Sequence, residues 1–197
     1  MDATTVAVVA AAYLMGSVDF GVVAARLRGV DIYAIGSGNP GASNVLRSIG
    51  RSTAALVVLG DVGKGIGAAA LGDLAVGEAV GFTAGALAVF GHCFPIWHRF
   101  RGGKGVATAA GVTLWLEPLL GVAVISAWGL LVWVFKRASV ASLVVVAVLV
   151  PALAASGHRG WSLIWAAAMT VLIVARHSGN IRRLLRGAER TVERDSE

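Results

Sequence analysis

Long apolar segments constrain this chain more than any other feature of its sequence. They cover residues 4–25, 53–71, 79–97, 105–135, 138–155 and 161–175. A helix that crosses a bilayer requires about 20 predominantly apolar residues, and most of these segments are close to that length. Because 57% of the residues are hydrophobic and the mean hydropathy is +0.78, a water-soluble globule would expose large apolar patches. The sequence therefore predicts an all-α, polytopic membrane protein.

The fourth segment determines how many spans are expected. Its 31 residues are too many for one simple crossing, and Glu117-Pro118 interrupts it. Proline lacks a backbone donor and disfavours helix in the residue before it. With a break there, 15 of the 17 basic residues fall on one side of the bilayer, and Lys and Arg gather on the cytoplasmic side of membrane proteins. We therefore predict a single membrane domain over residues 1–197, with about seven transmembrane helices, an outer N-terminus and a cytoplasmic C-terminus.

The net charge of +6 has to be interpreted with this topology in mind. In a soluble protein it would suggest a nucleic-acid partner, but here the topology accounts for the cations, and basic and aromatic residues do not interleave. Cys93 is the only cysteine, which excludes a disulfide scaffold, and no His/Cys cluster has the spacing of metal ligands. We therefore expect no nucleic-acid partner, no metal and no cofactor.

A glycine-rich polar segment, residues 35–47, follows the first apolar segment. Its letters fit the dinucleotide fingerprint, but the strand-to-helix context of that motif is missing, so we reject the match. Glycines let backbone N–H groups approach an anion closely, and an arginine adds several donors. The alternative is a flexible loop before a helix that is capped by Ser43 or Asn44. The binding candidates in this segment are Gly36, Ser37, Gly38, Asn39, Asn44 and Arg47.

A second glycine-rich segment precedes the fourth apolar segment and combines glycines with basic side chains. It is not a Walker A loop, because Gly105 stands where Ser or Thr must follow the lysine. Glycine amides, a lysine and a helix N-terminus nevertheless favour phosphate binding. The alternative is a basic cluster at the membrane surface, which does not need three glycines. The candidates are Arg101, Gly102, Gly103, Lys104 and Gly105.

A few further polar residues also attract attention. Asp61 and Lys64 are three residues apart inside an apolar segment, where ionisable groups are costly and either pair or serve a site. His92 fits a base or a hydrogen-bonded core histidine, the latter being commoner. After the last span, His177 and Asn180 would share one helical face, although the surrounding arginines also fit a simple positive stop.

Taken together, these segments resemble the integral-membrane acyl-phosphate:glycerol-3-phosphate acyltransferase family of bacterial phospholipid synthesis. The matching stretches follow the family's order and extend over essentially the whole chain. They are GSGNPGASNVLR (36–47), DVGKG (61–65), GHCFPIWHRFRGGKGVAT (91–108) and RHSGNIRRLLRGAE (176–189). The chain departs from the family pattern at Asp19, where a proline is usual, at Ser43, where a threonine is usual, and at Ser178, where a basic residue is usual.

The resemblance implies transfer of a fatty acyl group from acyl phosphate to the 1-hydroxyl of glycerol 3-phosphate, which gives lysophosphatidic acid and inorganic phosphate. It also implies a multi-pass protein of the bacterial plasma membrane with its active site facing the cytoplasm. By resemblance, Ser37 and Arg47 are essential, and Gly102, Gly103 and Lys104 form a phosphate loop. The resemblance also implies that His177 and Asn180 are needed for activity and that Glu189 supports the fold. We add Lys64 and His92 as substrate-binding candidates and Asp61 as a structural one.

The chemistry of the residues agrees with this expectation. Both substrates carry phosphate, so the site must neutralise several negative charges, and Arg47 and Lys104 can do so. The proton of the attacking hydroxyl could pass to His177, to His92 or to the phosphate of the substrate itself. The competing class is a membrane transporter of anions or organophosphates. It is disfavoured because the chain has no internal repeat and its polar donors crowd on one side.

Overall fold

The computed structural model describes residues 2–192; Arg194, one of the cations assigned to the cytoplasmic side, lies outside them. This part of the chain is helical and contains no β-strand. One 3-10 turn, Ile96–His98, follows α5. The α-helices are α1 (Ala3–Gly16), α2 (Phe20–Arg26), α3 (Ala42–Ser48), α4 (Arg51–Ala75), α5 (Glu78–Cys93), α6 (Val106–Leu116), α7 (Pro118–Phe135), α8 (Ala138–Ala155), α9 (Trp161–Arg176) and α10 (Ser178–Leu185).

The predicted apolar helices are present, and the predicted break is confirmed: α6 ends at Leu116 and α7 begins at Pro118. Within residues 2–192, five segments are long and apolar enough to cross a membrane, the first being α1 and α2 together. A sixth is obtained if α9 and α10, which meet at a bend of 55°, count as one span. α6 has only 11 residues and is about 16 Å long, which is short for a full crossing. The side on which each terminus lies stays a prediction.

Asp19 sets the break between α1 and α2. Its side chain is 1% exposed, and Oδ1 accepts hydrogen bonds from the backbone N–H groups of Gly21 (3.1 Å) and Val22 (3.2 Å). The aspartate therefore acts as an N-cap for α2, because its carboxylate satisfies donors that have no partner within the helix. The helical path is thus interrupted here without the proline that is usual in the family.

The helices α4 and α5 form the centre of the bundle, and α4 approaches α6 at backbone distance. A Cβ atom added to Gly65 would lie 2.1 Å from the carbonyl oxygen of Thr108, and one added to Gly111 would lie 2.1 Å from that of Val62. Small residues allow such close packing between helices in membranes. The contact holds the short helix α6 firmly against α4, so the loop that leads into α6 has a fixed position.

The end of α6 farthest from Lys104 is tied by a histidine that lies between two carboxylates. His158 Nε2 lies 2.6 Å from Glu117 Oε1, and its Nδ1 lies 3.2 Å from Glu78 Oε1. These contacts connect the α8–α9 turn with the starts of α5 and α7. By contrast, only 6% of the residues of α7 are buried inside the bundle, so this helix presents most of its surface to lipid.

Candidate active site

A cavity of about 270 Å³ opens between α3, α4, α6, α7, α8 and the junction of α9 with α10. One end is polar and strongly basic, and the other is apolar. The polar wall contains Ser37, Asn39, Ser43, Asn44, Arg47, Lys104, Ser139, His177, Asn180, Arg183, Glu189 and Arg190. The apolar wall contains Val62, Val106, Ala109, Ala110, Val124, Ile125, Trp128, Val145, Val146 and Leu149. Three segments far apart in the sequence thus share one site.

Asn44 organises the first glycine-rich loop. Its Oδ1 accepts from the Ser37 amide at 2.8 Å, and its Nδ2 donates to the carbonyl oxygen of Ile35 at 3.1 Å. Gly36 has φ +57°, and a Cβ atom there would lie 2.2 Å from Asn44 Oδ1. Gly36 and Gly38 do not line the cavity, and the side chain of Asn44 is committed to the loop. These residues shape the loop, and Asn44 also lines the cavity; the role in substrate binding stays a prediction.

Ser37 and Arg47 reach the cavity from this loop and from α3. Ser37 is exposed, and its hydroxyl accepts from the Asn39 amide at 3.4 Å. Arg47 Nη1 donates to the carbonyl oxygen of Thr191 at 3.2 Å, so α3 contacts the segment that follows α10. Asn39 also lines the cavity. The structure thus brings the first loop and α3 into contact with the C-terminal segment, which the sequence did not predict.

A chain of hydrogen bonds runs from Lys104 to Glu189. Lys104 Nζ donates to Asn180 Oδ1, and Asn180 Nδ2 donates to Glu189 Oε1 at 2.6 Å. The Glu189 carboxylate also accepts from Ser139 Oγ at 3.0 Å and from Arg183 Nε at 2.9 Å. Each polar atom of this buried group therefore has a partner, which is the condition for burying charge without a large cost. The position of Glu189 suits the structural role predicted for it.

Lys104 lies in the loop before α6, outside the spans, and is half-buried. Burial lowers the pKa of its ammonium from 10.5 to about 8, and nearby arginines add to the shift while Glu189 opposes it. Desolvation penalises the charged form of an amine, which is the physical cause of this direction. An anion in the cavity would restore the charge balance. Lys104 is therefore suited to bind a phosphate group.

His177 lies between α9 and α10 and is 2% exposed. Its Nδ1 lies 2.8 Å from the carbonyl oxygen of Ile173. Because a carbonyl oxygen can only accept, Nδ1 carries the proton and Nε2 has a lone pair in the neutral ring. His177 and Asn180 both line the cavity, as their predicted common helical face requires.

The second glycine-rich loop is arranged differently from the prediction. The Gly103 amide donates to the carbonyl oxygen of His92 at 3.1 Å, so it is not available to a phosphate. The carbonyl oxygens of Gly103 and Gly102 accept from Arg176 at 3.1 and 2.7 Å. Gly102 and Gly103 are not among the residues that line the cavity and pack closely against His92; their role in phosphate binding stays a prediction. Gly105, with φ +87°, does line the cavity and is the N-cap residue immediately before α6.

Arg101 is also outside the cavity wall. Its guanidinium lies 4.8 Å from the centre of the Tyr33 ring, and Tyr33 Oη donates to the Arg101 carbonyl oxygen at 2.6 Å. These contacts join the two glycine-rich loops, and the binding role of Arg101 stays a prediction. Sequence reasoning missed Tyr33, together with Ser139, Arg176 and Arg183, since their importance depends on contacts between distant segments.

The predicted pair of Asp61 and Lys64 is confirmed, with Nζ 2.8 Å from Oδ1. Lys64 Nζ also lies 2.7 Å from the carbonyl oxygen of Val18 and 2.8 Å from His92 Nδ1. Asp61 and His92 line the cavity, whereas Lys64 does not. Lys64 connects these two cavity residues, and the substrate-binding role predicted for it stays a prediction.

Comparison with known proteins agrees with this geometry. A family profile described as glycerol-3-phosphate acyltransferase matches residues 6–187. A protein of that name from Maricaulis maris is 45% identical over 193 residues, which cover 96% of this chain and 88% of the relative. Another, from Cupriavidus necator, is 44% identical and covers 91% of this chain and 92% of its own length.

Two solved structures show the same fold. One is described as PlsY (YgiH), an integral membrane glycerol 3-phosphate acyltransferase, in its glycerol 3-phosphate form. It has a TM-score of 0.90 and 37% identity, and the match covers 95% of this chain and 94% of that chain. The form with lysophosphatidic acid has a TM-score of 0.87 and 38% identity. With an all-helical membrane fold and similarity along nearly its whole length, this chain belongs to the glycerol-3-phosphate acyltransferase family.

Proposed function

We propose that this chain transfers a fatty acyl group from acyl phosphate to the 1-hydroxyl of glycerol 3-phosphate, producing lysophosphatidic acid and inorganic phosphate. The observation that carries the proposal is the division of a single cavity into a basic end and an apolar end. The relatives are named glycerol-3-phosphate acyltransferases, which supports glycerol 3-phosphate as the acyl acceptor. The choice of acyl phosphate as donor rests on the four matching sequence stretches.

The basic end suits two phosphate-bearing substrates. Arg47, Lys104 and Arg183 approach it from α3, the loop before α6, and α10. A guanidinium binds phosphate through two parallel hydrogen bonds, and an ammonium acts as a compact charge. Holding two anions side by side against their mutual repulsion converts a bimolecular step into one between oriented groups. Positioning is therefore the main contribution that we assign to the protein.

The apolar end suits an acyl chain. Along α8 the cavity wall extends from Ala138 to Leu149, twelve residues that span about 16 Å of helix. Trp128 of α7 and Val106 of α6 face the same space from neighbouring helices. Burial of each methylene contributes about 0.8 kcal/mol, so a fatty chain gains much of its binding free energy there. This requirement explains why the site lies inside a helical bundle.

The reaction needs no acyl-enzyme, because acyl phosphate is an activated mixed anhydride. The hydroxyl oxygen of glycerol 3-phosphate bonds to the carbonyl carbon, the bond from that carbon to the phosphate oxygen breaks, and phosphate leaves with the electron pair. The hydroxyl proton passes either to His177 Nε2 or to a phosphate oxygen of the substrate. The pH–rate profile of His177→Gln distinguishes these two proton acceptors. If its acidic limb is the same as in the wild-type protein, the substrate phosphate is the acceptor.

We also propose that the protein resides in the bacterial plasma membrane with the basic end of the cavity facing the cytoplasm. The charge asymmetry of the sequence supports this orientation, since cations concentrate in the segments that carry the site. The same orientation gives glycerol 3-phosphate, a soluble anion, direct access from the cytosol. The orientation is tested with Ser37→Cys in sealed vesicles, where the introduced cysteine should react with a membrane-impermeant reagent only from the cytoplasmic side.

The decisive experiment is an activity assay with purified protein. Acyl phosphate plus glycerol 3-phosphate should release inorganic phosphate and form lysophosphatidic acid without coenzyme A or ATP. Acyl thioester donors serve as the comparison, and folded Lys104→Ala and Arg47→Ala proteins should lose at least about 100-fold in rate. If acyl phosphates of every chain length fail to release phosphate, or if only thioesters support turnover, the proposed donor is wrong.

A further inference from the structure

The Lys64 ammonium lies close to three polar atoms inside the bundle. An ammonium carries three N–H donors and no acceptor. The three atoms around Lys64 Nζ are the Val18 carbonyl oxygen at 2.7 Å, Asp61 Oδ1 at 2.8 Å and His92 Nδ1 at 2.8 Å. Lys64 is 6% exposed and Asp61 is 2% exposed, so water does not substitute for these partners. The ammonium is therefore held by hydrogen-bond contacts with the Val18 carbonyl oxygen and His92 Nδ1 and by an ion pair with Asp61.

This arrangement fixes the tautomer of His92. His92 Nδ1 lies 2.8 Å from Lys64 Nζ and 3.4 Å from Asp61 Oδ1. Because the ammonium at the shorter distance only donates, we infer that Nδ1 accepts and that the proton of the neutral ring is on Nε2. His92 is 4% exposed, and its ring is held from one side by the Asp61–Lys64 pair. Within residues 2–192, Nε2 makes no hydrogen bond of its own. The ring therefore presents an unused N–H donor.

The Nε2 atom lies at the loop that carries Lys104. A Cβ atom added to Gly103 would lie 2.2 Å from Nε2, and the His92 carbonyl oxygen accepts from the Gly103 amide at 3.1 Å. His92 lines the cavity, as does Lys104. The donor thus lies against Gly103, the residue that precedes Lys104, and Lys104 is the only lysine of the cavity wall among the described residues.

We infer that His92 Nε2–H is a fixed hydrogen-bond donor to a phosphate oxygen bound at Lys104, and that Asp61 and Lys64 are positioning residues that keep it a donor. The inference rests on the proposed function only in taking the bound group to be a phosphate. A fixed donor next to the leaving phosphate stabilises charge that increases as the carbon–oxygen bond breaks. The same arrangement excludes His92 as acceptor of the hydroxyl proton.

The tautomer can be measured in the unmodified protein. 15N spectra of histidine-labelled protein in detergent distinguish protonated from unprotonated ring nitrogens, and His98→Gln, His158→Gln and His177→Gln assign the four histidines. We expect Nδ1 of His92 to be unprotonated and Nε2 to be protonated near neutral pH. Added inorganic phosphate should shift the Nε2–H signal. A protonated Nδ1, or no shift at saturating phosphate, overturns the inference.

Paired substitutions separate the two ring nitrogens. The longer side chain of the His92→Gln variant places an amide near the former Nε2, whereas the shorter amide in His92→Asn reaches only the Nδ1 position. Inorganic phosphate should bind His92→Asn about 10- to 100-fold more weakly, and His92→Gln within about threefold of wild type. The same two changes at His158, which faces Glu78 and Glu117, should leave phosphate affinity unchanged. Equal losses in both His92 variants contradict the donor role.

The positioning pair is tested by Lys64→Met combined with Asp61→Asn, which removes both charges together. The 15N spectrum should then show His92 as a mixture of tautomers, and a purely structural role of the pair would not produce that signature. His92 held as the Nε2–H tautomer in the double variant would overturn the role of the pair. These measurements use inorganic phosphate and require no turnover, so failure of the proposed reaction is recognised separately in the acyl phosphate assay.

Discussion

Asn180 links the cation of the site to its buried carboxylate, because its oxygen accepts from Lys104 while its nitrogen donates to Glu189 at 2.6 Å. An asparagine can bridge a donor and an acceptor in this way, whereas an aspartate at the same position would face Glu189 with a like charge. The bridge fixes the orientation of the amide without any ambiguity from neighbouring groups. It also makes the stability of the α10 segment and the geometry of Lys104 depend on each other.

We expect Glu189→Ala to destabilise the protein. The change leaves the donors of Ser139, Asn180 and Arg183 without their acceptor, at a cost of about 2–3 kcal/mol or about 5–10 °C in Tm. Thermal unfolding in detergent measures it. Glu189→Gln, which retains one acceptor oxygen, should lose less, and a Tm equal to wild type for Glu189→Ala would contradict the structural role.

We expect binding of glycerol 3-phosphate to weaken as the pH rises through about 8. The pKa of Lys104 is lowered to about 8 by burial, so its ammonium is present below this pH and is lost above it. Because a bound phosphate favours the charged form, the midpoint in the complex should lie higher than in the free protein. Binding measured from pH 6 to 10 gives both midpoints.

Lys104→Arg is the control for this pH dependence. A guanidinium stays charged throughout the range, so the decrease above pH 8 should disappear even if the affinity itself changes. A profile in Lys104→Arg that keeps the wild-type midpoint would assign the titration to another group.

We expect Gly103→Ala to reduce kcat/KM about 100-fold with a small effect on Tm. The added methyl group would lie 2.2 Å from His92 Nε2 and must displace either the ring or the Lys104 loop. A displacement of about 1 Å near the reacting groups costs about this much. Gly129→Ala on α7, where the methyl group meets no atom within 4 Å, should behave as wild type.

We expect Trp128 to influence the preference for acyl-chain length. Its indole lines the apolar end of the cavity, and Nε1 donates to Ser142 Oγ at 3.0 Å, which holds the ring between α7 and α8. Trp128→Ala enlarges this end and should change the ratio of kcat/KM for long over short acyl phosphates by about 10-fold or more. Trp133 lies on the same helix but is 70% exposed, so Trp133→Ala should leave the ratio unchanged.

The sequence predicts the helices of this fold well because apolar length and Pro118 act locally. Together with the family resemblance it also predicts Lys104, His177 and Asn180 as site residues, and the structure places all three at one cavity. It does not reveal that the Gly103 amide is already bonded to His92, because that bond depends on how α5 packs beneath the loop. In the same way, Tyr33 and Ser139 have no distinctive pattern around them. Their roles arise from contacts made across 68 and 50 residues of chain.

The backbone-distance contact between α4 and α6 has a consequence for how such a chain can diverge in evolution. A larger residue at Gly65 or Gly111 would need simultaneous adjustment of both helices, so we expect single substitutions there to be poorly tolerated. α7, which faces lipid over most of its surface, can exchange one apolar residue for another at little cost. We therefore expect sequence change to accumulate on the outer helix more readily than at the α4–α6 contact, which positions Asp61 relative to the Lys104 loop.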